Sequence, residues 1–173
     1  MTHRTYNVLF LCTGNSARSI IAEALVGRWG LGRFHGYSAG SHPTGEVHPL
    51  ALRLLETLNF PTAGLRSKSW DEFARPGAPQ MDFVLTVCDN AAAEMCPIWP
   101  GQPMTAHWGV ADPAAVAGDE VTRMQAFRTA LRELENRVKV FAALPIGSLD
   151  AVHLKAELDA IGRQPSEAAT YRL

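Results

Sequence analysis

The sequence is short of cysteine, of unbalanced charge and of long apolar runs, and each shortage removes a class of protein. Its three cysteines, Cys12, Cys88 and Cys96, are too few and oddly numbered for a disulfide framework. In a reducing compartment they stay thiols, with roles that are chemical or merely apolar. Lys and Arg number 16 against 17 Asp and Glu, a net charge of -1; no basic surface awaits a polyanion, so nucleic acid is not an expected partner. The opening "MTHRTYNVLFL" turns polar after a brief apolar run, which fits neither a signal peptide nor a membrane span, so a cytoplasmic protein without a membrane partner is expected. There is no Cys-x2-Cys pair, and the six histidines have no metal-ligand spacing. The expectation is no metal site and no tightly bound cofactor. His42 and His48, each before a proline, read as surface loop residues. A GK[ST] nucleotide loop is also missing.

What is present is one domain's worth of alternating pattern. A chain of 173 residues suits a single core, placed over residues 1–163, with 164–173 as a flexible polar tail. Residues 7–11 read as a fully buried strand, and Ile21 and Leu25 mark a helix face after Ala17. "RFHGYSAG" reads as a second strand, followed by Leu50, Leu54, Leu55 and Leu58 at helical spacing behind Pro49. Ser69 and Glu72 have capping-box spacing for a short helix; "MDFVLTVC" and the shorter "MTAHWGV" are the remaining strands. From Asp119, the steps Met124, Phe127, Leu131, Leu134, Val138 and Phe141 define a long amphipathic helix that stops near Pro145. Leu154, Leu158 and Ile161 define a last one, ending at Gly162. Strands alternating with helices predict an α/β fold, a doubly wound sheet of about four parallel strands with helices on both faces. Ligands of such sheets bind beyond the carboxyl ends of the strands.

The chemistry gathers where the first strand meets the first helix. Between Cys12 and Arg18 lie Thr13, Gly14, Asn15, Ser16 and Ala17, small enough for successive backbone N–H groups to turn inward around a tetrahedral oxyanion. The helix adds its positive end, and Arg18 a guanidinium fork. The same groups are expected to depress the Cys12 pKa and make it a thiolate nucleophile, with Ser19 able to donate to its sulfur.

The stretch "VLFLCTGNSARSIIAEAL" closely resembles the active-site loop of the low-molecular-weight tyrosine phosphatase superfamily. "YSAG", "SKSWDEF", "DFVLTVCDNAAAEMCP" and "HWGVADPA" resemble its arsenate reductase branch. The likeness spans roughly residues 7–141 and implies a flavodoxin-like fold. It also implies Cys12 as nucleophile, Arg18 as oxyanion clamp, Asn15 as a loop-shaping residue, Ser19 as a stabiliser of the thiolate and Asp112 of "ADPA" as the acid that protonates the leaving oxygen. In some relatives a potassium ion sits near the positions of Asn15, Glu23, Ser38 and Ser67; here Ser69 stands where a carboxylate is expected.

Both branches share the loop, so other residues must separate reductase from phosphatase. Ala114 and Ala115 follow Pro113 where eukaryotic-type phosphatases usually carry aromatic residues, which favours a small inorganic anion over an aryl phosphate. Ala17 stands where many relatives have a second cysteine. Reduction of arsenate to arsenite, the chemistry of arsenic resistance, needs a thiol to attack the Cys12 sulfur, and Cys88 ends a strand whose carboxyl end belongs at the same rim. Cys96 then attacks the Cys12–Cys88 disulfide and carries the oxidation outward to an external reductant: thioredoxin, or glutathione or mycothiol with a glutaredoxin-like protein. Were residues 89–95 helical, Cys88 and Cys96 would lie ~12 Å apart at ~1.5 Å per residue, beyond the ~7 Å limit for a disulfide, so an unwinding on oxidation is expected. Arsenate is thus the expected substrate, phosphate and sulfate its analogues, and a monomer the expected state. Two alternatives stay open: a phosphatase acting on phosphotyrosine or small phosphate esters through a Cys12 phosphocysteine, and a non-catalytic oxyanion or redox sensor.

Overall fold

The computed structural model describes residues 4–89, 97 and 99–164. In it, the apolar run ahead of Cys12 becomes β1 (Tyr6–Cys12), and the chain continues as α1 (Arg18–Trp29), β2 (Phe34–Gly40), α2 (Pro49–Thr57) and α3 (Asp71–Ala74). After these come β3 (Phe83–Thr86), β4 (Met104–His107), α4 (Glu120–Ala142) and α5 (Ala151–Gly162). Cys96, the alanine run 91–93 and residues 165–173 of the expected tail lie outside the described residues.

The helices begin where their first amides find acceptors. Asp119 accepts from the Thr122 N–H and Asp150 from the His153 N–H, both at 2.8 Å. His48 caps α2: its Nδ1 accepts from the Leu50 N–H at 3.1 Å and its ring lies 4.7 Å from that of Phe127. It is half-buried, correcting the expectation of a plain surface histidine. The capping box at Ser69 does not form. Arg66 takes both carboxylate oxygens of Glu72, at 2.8 and 2.7 Å, and this bidentate pair outcompetes a reach back to one amide. Ser69 still accepts from the Asp71 N–H at 3.1 Å.

All strand pairs are parallel, in the order β2-β1-β3-β4. Successive side chains of β1 part to opposite faces. Val8, Phe10 and Cys12 face the larger core with Phe127, Leu131, Leu134, Val138 and Phe141 of α4 and Leu154, Leu158 and Ile161 of α5. Leu9 and Leu11 face a smaller core closed by Phe73 of α3, Met81 and Trp99. Because the chain leaves β1 in one direction for β2 and in the other for β3, the order reverses at β1 and β3. Their carboxyl ends therefore border the crevice where such sheets bind ligands. Cys12 is the last residue of β1, and Cys88 follows β3 by two residues.

Candidate active site

Residues 13–18 are held from outside. The His42 N–H donates to the Thr13 carbonyl, the Thr44 N–H to that of Gly14 and the His48 N–H to that of Ser16, at 2.9, 3.0 and 2.9 Å; the Ser67 hydroxyl donates to Gly14 as well, at 3.2 Å. Three of the loop's carbonyls are thus tied to the segments around it, which fixes the path of its backbone. Asn15 takes the left-handed conformation, φ 44°, which a short amide side chain tolerates best among non-glycine residues. It is fully buried. Its Oδ1 accepts from the Lys68 N–H at 2.9 Å, and its Nδ2 donates to the Ser19 hydroxyl at 2.8 Å. The close approach of β2 to the loop needs Gly40, where a Cβ would come within 2.4 Å of the Thr13 carbonyl oxygen. Ala17 gives α1 no side-chain cap, and its first turn carries no acidic residue. The positive end of the helix is left for an anion.

Arg18 and Asp112 meet over this loop. Arg18 Nη1 donates to the Val110 carbonyl at 2.9 Å, and Nη2 lies 3.7 Å from Asp112 Oδ2. Asp112 Oδ1 accepts from the Ala114 N–H at 3.0 Å and starts the 3₁₀ turn Pro113–Ala115. One carboxylate oxygen thus serves the turn while the other faces the guanidinium. Arg18, Cys88, Asp89, Gly109, Val110, Ala111 and Asp112 line a cleft of about 430 Å³. Arg137 holds the segment behind it: buried in α4, it donates to the Trp108 and Gly109 carbonyls at 3.1 and 2.8 Å.

Cys88 reaches the loop. The Thr13 N–H donates to its sulfur at 3.3 Å, and the Thr13 hydroxyl is 3.7 Å from it. Cys12 is 5% exposed, and its hydrogen bond with the Cys88 thiol is the largest influence on its ionisation. That contact and burial push the Cys12 thiol up; the Arg18 guanidinium and the Thr13 amide pull it down. The net direction is upward, which corrects the expected depression. A helix terminus and a cation favour a thiolate, but here the sulfur is desolvated and a second thiol acts on it, and both effects favour the neutral form. The structure therefore brings together Cys12, residues 13–17, Arg18, Ser19, Cys88 and Asp112. Cys96 lies outside the described residues.

Lys68 was not legible as part of this assembly. In "RSKSWDEF" it reads as a solvated charge, yet it is 8% exposed. Its Nζ donates to the Arg66 carbonyl at 2.8 Å and the Ser38 hydroxyl at 3.4 Å, and lies 3.8 Å from Glu23 Oε1. Glu23 and Ser38 are two of the positions beside which some relatives hold potassium. Their oxygens already face an ammonium, so these residues do not fit an additional cation. Among the described residues, no group of three or more His, Cys, Asp and Glu is arranged to hold a metal. The sequence held one hint, the missing carboxylate at Ser69.

Comparison with known proteins places these features in a family. The sequence profile described as low molecular weight phosphotyrosine protein phosphatase matches residues 7–156. An arsenate reductase of Halalkalibacterium halodurans is 33% identical over 135 residues, covering 78% of this chain and 94% of its own. A structure described as an arsenate reductase in the phosphate binding state superposes with a TM-score of 0.66 at 27% identity, covering 80% of this chain and 98% of its own. The arsenate reductase of Archaeoglobus fulgidus gives 0.62 at 30% identity, covering 79% and 99%.

Proposed function

The chain belongs to the low molecular weight phosphotyrosine protein phosphatase family, and on that premise we propose that it reduces arsenate to arsenite. The amides of Thr13, Gly14, Asn15, Ser16 and Ala17 and the Arg18 fork hold the oxyanion. Cys12 gives up its thiol proton to an oxygen of the bound arsenate as its sulfur, with the Ser19 hydroxyl as donor, attacks arsenic. Asp112 gives a proton to the departing oxygen, which leaves as water. A cysteinyl arsenic(V) adduct remains. Cys88 then attacks the Cys12 sulfur; the sulfur–arsenic bond breaks, its electron pair stays with arsenic, and arsenite leaves as arsenic(III). Two thiols have become the Cys12–Cys88 disulfide. Cys96 attacks Cys88 in turn, and a thioredoxin, or glutathione or mycothiol with a glutaredoxin-like protein, restores the thiols. Phosphate and sulfate bind as analogues. A single domain over residues 1–163 working in the cytoplasm suits this role; among the described residues no helix is long and apolar enough to cross a membrane.

One observation carries the reading: the Cys88 sulfur lies against the loop of the nucleophile, 3.3 Å from the Thr13 nitrogen. Hydrolysis of a cysteinyl adduct needs water there; reduction needs a thiol. The relatives named arsenate reductase, at 33% identity, support the same choice. A second reading, hydrolysis of phosphotyrosine or small phosphate esters, is favoured by Asp112 Oδ2 beside Arg18, and some of this activity is expected to persist. Steady-state turnover with separate thioredoxin and glutathione systems separates the two. The expected result is arsenate-dependent oxidation of at least one donor by the wild type, abolished by Cys12→Ser and by Cys88→Ser. A Cys88→Ser variant that keeps full arsenate turnover would refute the relay.

A further inference from the structure

The groups behind the oxyanion loop form a cation site whose cation is part of the chain. Lys68 belongs to the stretch that bridges Gly40 at Ser69 and runs inward beneath the loop. Three kinds of oxygen meet its ammonium: the Arg66 carbonyl at 2.8 Å, the Ser38 hydroxyl at 3.4 Å and the Glu23 carboxylate at 3.8 Å. Ser38 also donates to Glu23 Oε1, at 2.7 Å, so hydroxyl and carboxylate are oriented toward one another around that charge. The side chains of Lys68 and Glu23 are only 7% and 17% exposed. Carboxylate, hydroxyl and carbonyl oxygens are the donor set of a hard cation. A buried carboxylate without a positive partner would be strongly disfavoured.

The same residue grips the loop. The Lys68 N–H donates to Asn15 Oδ1, and Asn15 passes the constraint to Ser19 through its Nδ2. The neighbouring Ser67 hydroxyl holds the Gly14 carbonyl. Displacing the ammonium would let the Lys68 backbone shift, and with it the left-handed turn at Asn15.

We propose that Lys68 is a positioning residue that supplies a built-in monovalent cation for the oxyanion loop, making loop geometry independent of dissolved potassium. The proposal rests on residues 12–18 seating an oxyanion, and its test reads the loop without turnover, so it can fail while arsenate reduction stands.

The experiment measures, on the full chain, the thermal midpoint and the protection of Cys12 by inorganic phosphate against iodoacetamide. Potassium, ammonium and tetramethylammonium chlorides are compared at equal ionic strength. Wild type should give the same midpoint and the same protection in all three. Lys68→Ala should lose protection and lower the midpoint in tetramethylammonium, and regain both in potassium or ammonium, which are small enough to enter the vacated space. Glu23→Gln, which keeps the ammonium, should be less stable than wild type yet equally indifferent to the salt. Potassium-specific gains in the wild type would overturn the proposal, as would a Lys68→Ala variant that responds to no small cation. The wild-type and Glu23→Gln measurements decide even if Lys68→Ala fails to fold.

Discussion

At the scale of single residues, the sulfur pair governs the chemistry. The proximity of Cys88 raises the Cys12 thiol both through their hydrogen bond and through charge, whereas Arg18 and the Thr13 amide lower it. Removing Cys88 deletes both of its contributions and leaves burial alone against the lowering pair. In Cys88→Ala the Cys12 pKa should therefore fall, and the pH dependence of its iodoacetamide labelling should shift to lower pH. An unchanged or higher midpoint would mean that Cys88 does not raise the nucleophile's pKa. Cys12 and Arg18 stood out in the sequence because the loop that carries them is short and local, whereas Asp112 was named only through the resemblance of "ADPA". The upward shift of Cys12 was not legible. It comes from a thiol 76 positions further along the chain, brought near by strand pairing between β1 and β3. Lys68 escaped for a similar reason: its carboxylate partner, Glu23, lies on α1.

At the scale of elements, local patterns held where one face of a helix met a core, and failed where side chains had rival partners. The steps from Met124 to Phe141 foretold α4: Phe127, Leu131, Leu134, Val138 and Phe141 are buried, and Met124 at the start of the series is half-buried. Glu72 looked like half of a capping box, but Arg66 claimed it. Arg137, on the buried side of α4, interrupts the apolar stripe and would be taken from sequence for an error of phase; its use is to bind the carbonyls behind the cleft. Burial lowers its pKa, but its charged hydrogen bonds tie α4 to the chain after β4. Arg137→Met should cost about 1–3 kcal/mol, since charged hydrogen bonds contribute at that level and the methionine restores some packing. Urea unfolding reads this directly. Because the Trp108 and Gly109 carbonyls lose their donor, phosphate should also protect Cys12 less well in this variant.

At the scale of the whole molecule, alternation of strand and helix was enough to foretell a parallel sheet, while the order of its strands was not. Which neighbour β1 takes on each side depends on how the crossovers pack, and only the folded chain places β3 beside β1 and the two thiols at one crevice. The extent of each core was equally hidden. Phe141 joins much of the larger one: its ring lies 4.8 Å from that of Phe34, 5.2 Å from Phe83 and 5.6 Å from Trp108. Phe141→Ala should destabilise the fold by about 3–5 kcal/mol, the usual cost of a phenylalanine-sized cavity in a core, seen as a lower urea midpoint with an unchanged slope. The sheet carries that core on the face to which Cys12 also points, so secure packing there fixes the nucleophile.

The relay between the two sulfurs is tested most directly by a single turnover without any external reductant. Cys96→Ser protein is mixed with excess arsenate, quenched in acid and mapped for disulfides while released arsenite is counted. One arsenite per chain together with a Cys12–Cys88 disulfide is the predicted result. Arsenite release with both thiols still reduced, or neither arsenite nor disulfide from protein whose Cys12 still alkylates, would contradict it.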